Sequence, residues 1–334
     1  MRAWQIPSFG VDSFQFVDLP TPSPARGEVL VQVRAISLNF RDLMVVKGLY
    51  NPKMKLPRIP CSDGAGEVVA GGEGVTAWKP GDRVAAIFMQ NWLDGELTQA
   101  KSRGALGGDI DGMIAEFVVL RESGLVRIPQ HLSFEEAATL PCTAVTAWNA
   151  LAAGSLQPGS TVLIQGTGGV SIYALQFAQL MGVRVLGISS SNDKLDRAYS
   201  LGLSAGLNYR ENPDWDRWAL DRTGGEGVNL IVEVGGLGTL PRSLRAVGFG
   251  GVIAQVGALA GSSDPVPIPS ILHKRASIQG IYVGSRTHFE QVNKAISLAQ
   301  LHPVLEALPW TQARQALTRM EQGAHFGKLV LTVA

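Results

Sequence analysis

Two textures of apolar and polar positions divide the chain. Up to about residue 125 the apolar positions come in short runs, "EVLVQVRAIS" (28–37), "GEVVAGGEGV" (66–75), "GDRVAAIF" (81–88) and "AEFVVL" (115–120), broken by Gly and Pro. Runs of this length between turn formers predict an antiparallel or barrel-like β region. Within it, Met89–Gly112 is polar and punctuated by glycine, which predicts a long surface loop.

From Leu132 the pattern changes. "SFEEAATLPCTAVTAWNALAAG" (133–154) sets Ser133 three residues before Glu136, a capping box ahead of an apolar helix. Strands and helices then alternate. "TVLIQG" precedes "VSIYALQFAQLMG", "VRVLGIS" precedes "DKLDRAYSLG", "AGLNYR" precedes "PDWDRWALDRTGG", and "NLIVEVGG" precedes "TLPRSLRAVGFGG". "VIAQVGAL" and "SIQGIYVG" close the series. Such alternation implies βαβ units, hence an α/β fold with a doubly wound parallel sheet. A final helix, "HFEQVNKAISLAQ", and the β segment "GKLVLTVA" return to the first region. The expected division is 1–128 with 284–334 as one domain and 129–283 as the other.

Composition narrows the functional classes. The chain has 334 residues, is 46% hydrophobic and carries 29 basic against 28 acidic side chains. Its mean hydropathy is +0.13. A net charge of +1 without runs of one sign argues against nucleic acid or an anionic membrane as partner. The opening "MRAWQIPSFG" has no long apolar stretch, and no segment has the length of a membrane span. Two cysteines, Cys61 and Cys142, suit a reducing cytoplasm and exclude a disulfide scaffold. The five histidines (131, 273, 288, 302 and 325) lack metal-like spacing.

The chemistry centres on Gly166-Thr167-Gly168-Gly169-Val170-Ser171, which follows a strand and opens a helix. That is the context of a dinucleotide fingerprint. Gly166 makes the tight turn, Gly168 admits a pyrophosphate, and the helix from Gly169 presents free N–H groups and its positive dipole end. The third small residue lets helix and strand pack closely, which Ser171 still permits. An acid expected about 20 residues on, to hold a ribose 2′-hydroxyl, is missing. The next strand ends in Ser189-Ser190-Ser191-Asn192, with no carboxylate until Asp193. Ser190, Lys194 and Tyr209 can surround a 2′-phosphate, so NADP(H) is expected over NAD(H). Ser191 or Asn192 can equally cap the helix, and Lys194 can be an exposed helical lysine.

These residues, with "GEVLVQVRAISLNFRDLMVVKGLY", "PCSDGAGEVVAGGEGVTAWKPGDRV", "LPCTAVTAWNAL" and "HFGKLVL", resemble the medium-chain dehydrogenase/reductase superfamily along the whole chain, in its quinone oxidoreductase-like branch. The resemblance implies a GroES-like, mostly β catalytic domain, a Rossmann cofactor domain, an active site in the cleft between them, and a homodimer or homotetramer. It also implies cofactor contacts at Thr146, Gly257, Gly327 and Lys328. Zinc alcohol dehydrogenases of this superfamily take a Cys, a His and a third Cys or Asp as ligands. Here the first position is Asn39, the His-Glu pair is Ser62-Asp63, and only Cys142 stands at a ligand position. One thiol and a nearby carboxylate do not make a three-ligand zinc site, and Met89–Gly112 has no cysteine for a structural zinc. The chain is therefore expected to work without metal.

Without zinc, hydrogen-bond donors must stabilise charge developing on oxygen while the nicotinamide carries hydride. "LNFRDLMVVKGLY" offers the amide of Asn39, the cation of Arg41, the carboxylate of Asp42 and the phenol of Tyr50. In the resembled branch, the positions of Asn39 and Tyr50 face the nicotinamide. Structural alternatives stand beside each: Asn39 satisfying backbone at a strand end, an Arg41–Asp42 ion pair, Tyr50 as a packed aromatic. Trp92 and Arg286 are further candidates for lining a pocket or meeting cofactor. The expected activity is NADPH-dependent hydride transfer to a small quinone, enone or other carbonyl substrate. A zinc-free alcohol dehydrogenase acting oxidatively and a non-catalytic nucleotide-binding protein are the alternatives.

Overall fold

The computed structural model describes residues 1–259 and 265–333. They form two compact units, Met1–Val145 with Val283–Ala334, and Thr146–Tyr282. The first break falls after Val145, not near residue 128. Residues 129–145 pack with the first unit, where the Cys142 amide donates to Asp63 Oδ2 at 3.0 Å.

The first unit is GroES-like. Its central strand, Glu28–Leu38, pairs antiparallel with Asp63–Gly71, Phe117–Arg121 and Lys328–Thr332. Leu305–Pro309 extends this sheet parallel to Lys328–Thr332, and Arg83–Ala86 and Leu125–Arg127 complete its other edge. Inward positions alternate along Glu28–Ala35, as a one-sided strand requires; Ile36–Leu38 are buried throughout. Val29, Val31, Val33, Leu43, Val118 and Leu331 meet in the core. Met89–Gly112 is less of a surface loop than its polarity predicts. Met89, Trp92, Ala105 and Leu106 are buried, because short bridges at Met89/Ala105 and Leu106/Ile110 fold the segment back on itself.

The second unit holds six parallel strands in the spatial order Ala205–Asn208, Arg184–Ser189, Thr161–Gln165, Val228–Glu233, Val247–Gln255, Ser277–Gly280. In sequence this is 3-2-1-4-5-6, the doubly wound Rossmann order. All five residues of Thr161–Gln165 are buried, as expected of a parallel strand covered on both faces. Two segments differ from the sequence expectation. "TLPRSLRAVGFGG" is helical only over Leu240–Ala246; the fifth strand starts at Val247, where three glycines in the next four residues disfavour a helix. The run 133–154 is not one helix. It is Phe134–Ala138, a wide π turn over Leu140–Ala144, then Val145–Ala152, with Pro141 removing a ladder donor.

Candidate active site

Ligands in an open parallel sheet bind beyond the carboxyl ends of the strands, where the strand order reverses. That point lies between Thr161–Gln165 and Val228–Glu233. Gly166 turns the chain at φ +71°, its amide held by Ile188 O at 2.7 Å. Thr167 follows and is buried. Gly168 caps the helix Gly169–Leu180, of which Gly169 and Val170 form the first turn. A Cβ built on Gly168 would meet nothing within 4 Å. The turn thus leaves open space above the helix N-terminus, which suits a pyrophosphate. Ser171 is buried and donates to Gln165 O at 2.6 Å, tying the helix to the strand that precedes it.

Gln165 and Glu233, absent from the expected site residues, lock this crevice. Glu233 is fully buried. It accepts from Gln165 Nε2 (2.7 Å), Thr239 Oγ1 (2.6 Å), the amides of Gly235 (2.8 Å) and Gly236 (3.0 Å), and the Ser243 hydroxyl. Gln165 Oε1 in turn accepts from the amides of Val234 and Gly235. The signal was present as a carboxylate ending the apolar run "NLIVE": a buried acid demands partners. Gly257 follows the fifth strand; its amide donates to Glu233 O at 3.3 Å, and its carbonyl accepts from the Gln255 side chain.

At the neighbouring strand end Ser189 is buried, whereas Ser190 is half-buried. Ser191 caps the helix Asn192–Ser200 and accepts from the Lys194 amide at 3.4 Å. The Tyr209 amide donates to Ser189 O at 2.9 Å, which places Ser190, Lys194 and Tyr209 around adjoining strand ends. A carboxylate the sequence pattern did not reveal also stands here. Glu211 Oε1 accepts from Asn192 Nδ2 at 2.7 Å and Asn208 Nδ2 at 2.9 Å. It arrives from the third strand, beyond reach of a rule written for the second.

In the first unit, Asn39 opens the helix Phe40–Val46. Its amide donates to Asp42 Oδ2 at 2.8 Å, while its side chain reaches across the unit. Asn39 Oδ1 accepts from Lys328 Nζ at 2.5 Å and Thr143 Oγ1 at 2.9 Å; Asn39 Nδ2 donates to Ser62 Oγ at 3.3 Å. Ser62 donates to Asp63 Oδ1 at 2.7 Å. The Lys328 ammonium also donates to Leu38 O and Thr143 Oγ1. Gly327 before it is closely packed: at φ +72° a Cβ would lie 2.3 Å from Val304 O. Thr146 lies in the first turn of Val145–Ala152 and is buried.

Arg41 lies between two rings, its guanidinium carbon 4.8 Å from the Tyr50 centroid and 4.6 Å from that of Phe88. It donates to Leu106 O at 2.8 Å and stands 3.8 Å from Asp42. Burial disfavours its charge, but Asp42 and Tyr50 outweigh burial and raise its pKa. Burial lifts Asp42 to about 6 against the pull of Arg41. Asp63 is raised by burial and restrained by Lys328; burial lowers Lys328, with Asp63 opposing. The Cys142 thiol is pushed up by burial and by Asp63, which opposes thiolate formation. Tyr50 is 39% exposed, and its phenol hydrogen-bonds Arg41. Trp92 is buried and donates to Gly95 O; Arg286 is engaged by Glu290 and Ser123 O.

A zinc ion does not fit this cluster. It offers an amide, two hydroxyls, one carboxylate and a thiol held in its protonated form, with an ammonium among them. Among the described residues no three His, Cys, Asp or Glu side chains group as metal ligands.

A doubly wound sheet with a glycine turn at its switch point, joined to a GroES-like unit with buried polar donors, defines a nucleotide-dependent oxidoreductase. Residues 25–130 match the family model of the alcohol dehydrogenase GroES-like domain, and 169–299 that of the zinc-binding dehydrogenases. A zinc-type alcohol dehydrogenase-like protein of Schizosaccharomyces pombe is 42% identical over 315 residues, 92% of this chain and 91% of the relative. An alcohol dehydrogenase of Geobacillus stearothermophilus is 30% identical over 326 residues, 96% of each. The crystal structure of an NAD-dependent alcohol dehydrogenase superposes with a TM-score of 0.92 at 34% identity, covering 100% of both chains. The chain belongs to the medium-chain dehydrogenase/reductase superfamily and is an alcohol dehydrogenase-like oxidoreductase of that nicotinamide-binding family.

Proposed function

We propose that the chain is a zinc-independent, NADPH-dependent oxidoreductase that passes hydride to a quinone, enone or other carbonyl of a small molecule. The observation that supports this reading is the Lys328–Asn39–Thr143–Ser62–Asp63 cluster, whose amide, hydroxyl, ammonium and carboxylate groups hydrogen-bond one another and offer no imidazole or thiolate to a metal. The nicotinamide supplies hydride when bound. Gly166–Val170 hold the pyrophosphate, and the Gln165–Glu233 lock keeps that turn in place. Tyr50 donates toward the oxygen that gains charge, with Arg41 behind its ring supplying positive field; Asn39 presents its amide from the helix start. Gly257 and Thr146 complete the cofactor set.

Ser190, Lys194 and Tyr209 receive the 2′-phosphate in this reading. A second reading, NAD(H), is favoured by Glu211, whose charge would repel a phosphate, and by the cofactor named for the similar crystal structure. Titration of both cofactors separates them. The NADPH reading expects Lys194→Ala to weaken NADPH about 10- to 100-fold, the loss of a hydrogen bond to a charged group, and to leave NADH nearly unchanged. Ser190→Asp should repel the phosphate and begin to recruit NADH; Ser190 suits this because it is less buried than Ser189. Wild type binding both cofactors equally, or Lys194→Ala weakening both alike, overturns the assignment. NADPH oxidation against quinones, enones and aldehydes tests the reaction class, and turnover of alcohols with NADP+ alone would favour the oxidative alternative.

A homodimer or larger homo-oligomer is part of the proposal. The edge strand Ser277–Gly280 is exposed along its whole length, and the same unit exposes Phe249, Ile268, Leu272 and Ile278. A monomeric mass by sedimentation at micromolar protein would remove that part. No helix among the described residues is long and apolar enough to cross a membrane. Two free thiols agree with the proposed cytoplasmic setting.

A further inference from the structure

The guanidinium of Arg41 is seated by one turn of the first unit. Residues Ala105–Ile110 close on themselves: Asp109 Oδ2 accepts the amides of Gly104 at 2.9 Å and Ala105 at 3.1 Å, and Ala105 O accepts the Asp109 amide at 3.0 Å. The Leu106 amide donates to Phe88 O at 3.0 Å, which ties the turn to the residue whose ring covers the guanidinium. Leu106 O then takes Arg41 Nη1 at 2.8 Å. Gly108 faces the other arm of the fork. A Cβ built there would lie 2.4 Å from Arg41 Nη2, and beyond Arg41 the next atom it would meet is Ala105 O at 3.8 Å. Gly108 is not among the glycines with positive φ, so alanine suits its backbone and the guanidinium is what an added methyl meets. The Arg41 side chain is 10% exposed and lies between the Tyr50 and Phe88 rings, so that methyl would shift the guanidinium against them. A guanidinium only donates, so in its hydrogen bond with Tyr50 the phenolic oxygen accepts. That bond does not use the phenol's own proton.

We infer that the turn Ala105–Ile110 seats Arg41 so that the guanidinium holds the Tyr50 oxygen and aims the phenol's own O–H at the substrate oxygen that gains charge, which makes Gly108 a positioning residue for the reaction. The inference rests on the reading of Tyr50 as donor and extends it to Gly108 and the turn that carries it. The segment Met89–Gly112 thereby bears on the chemical step through the one position where a side chain would displace Arg41.

A double-mutant cycle tests it. Gly108→Ala should lower kcat on aldehydes and enones by up to about 100-fold, the cost of misplacing a group at the reacting centre by about 1 Å. KM for the carbonyl substrate, and NADPH affinity by fluorescence titration, should hardly move, because the loss falls on the transition state alone. In the Tyr50→Phe background the same change should cost less than about twofold, since the donor it acts through is gone. Arg41→Lys keeps the charge but lacks Nη2 and so leaves room for the methyl; there too Gly108→Ala should cost less than about twofold. A glycine that serves packing alone would give the same loss in wild type, Tyr50→Phe and Arg41→Lys, and that result overturns the inference, as does a wild-type kcat in Gly108→Ala. If the melting temperature shows that Gly108→Ala folds poorly, Arg41→Lys takes its place: it should lower kcat in wild type and leave Tyr50→Phe unchanged, and an equal loss in both overturns the link from Arg41 to the phenol. Unchanged kcat in Tyr50→Phe itself would instead overturn the reading on which the inference rests.

Discussion

Lys328→Met should lower the unfolding free energy by about 3–5 kcal/mol, the cost of removing one partner from a buried charged arrangement. Three acceptors lose the lysine donor together, Leu38 O, Asn39 Oδ1 and Thr143 Oγ1, of which Asn39 Oδ1 keeps the Thr143 hydroxyl. Asp63 is left buried, with Ser62, Asn39 and the Cys142 amide as its partners, and loses the Lys328 charge that opposes the cost of its burial. Methionine nearly matches the lysine stem, so lost packing contributes little. The urea midpoint and the thermal midpoint should both fall, and Lys328→Gln should recover part of the loss. A change within about 0.5 kcal/mol, typical of surface substitutions, would show that the cluster does not depend on this charge.

Tyr50→Phe should lower kcat by as much as about 10²–10³-fold on aldehydes and enones, the loss seen when one well-placed donor to a developing oxyanion is removed. The ring's contact with Arg41 survives in phenylalanine, while the phenol's hydrogen bond with Arg41 is lost from a partly exposed residue. Stability should fall by at most about 1.5–3 kcal/mol, the range for one hydrogen bond to a charged group, and NADPH affinity should hardly move, so kcat reads the chemical step. Quinones need less proton assistance and should lose less. Unchanged kcat on every substrate would leave Tyr50 as a packing residue beside Arg41.

The strand and helix alternation of the second unit was legible because parallel strands buried on both faces are continuous apolar runs, and the glycine turn declares itself by spacing. What was not legible depends on partners far away in sequence. Glu233 reads as an acid in an apolar strand until Gln165, 68 residues distant, is seen to meet it. Glu211 joins the cofactor strand end only through Asn192 and Asn208. Lys328 resembles a closing cofactor contact in one dimension; a separation of 289 residues hides that its ammonium bonds Asn39. The wide turn at Leu140–Ala144 was missed for a local reason: its apolar positions continue the helical period across Pro141.

The central claim is oxidoreductase chemistry without a metal, and metal content measured alongside turnover tests it most directly. Protein purified without added zinc and exposed to a strong chelator should carry far less than one zinc per chain by elemental analysis and oxidise NADPH with a carbonyl or quinone substrate at its original rate. About one zinc per chain, lost together with activity and restored with it, would contradict the account.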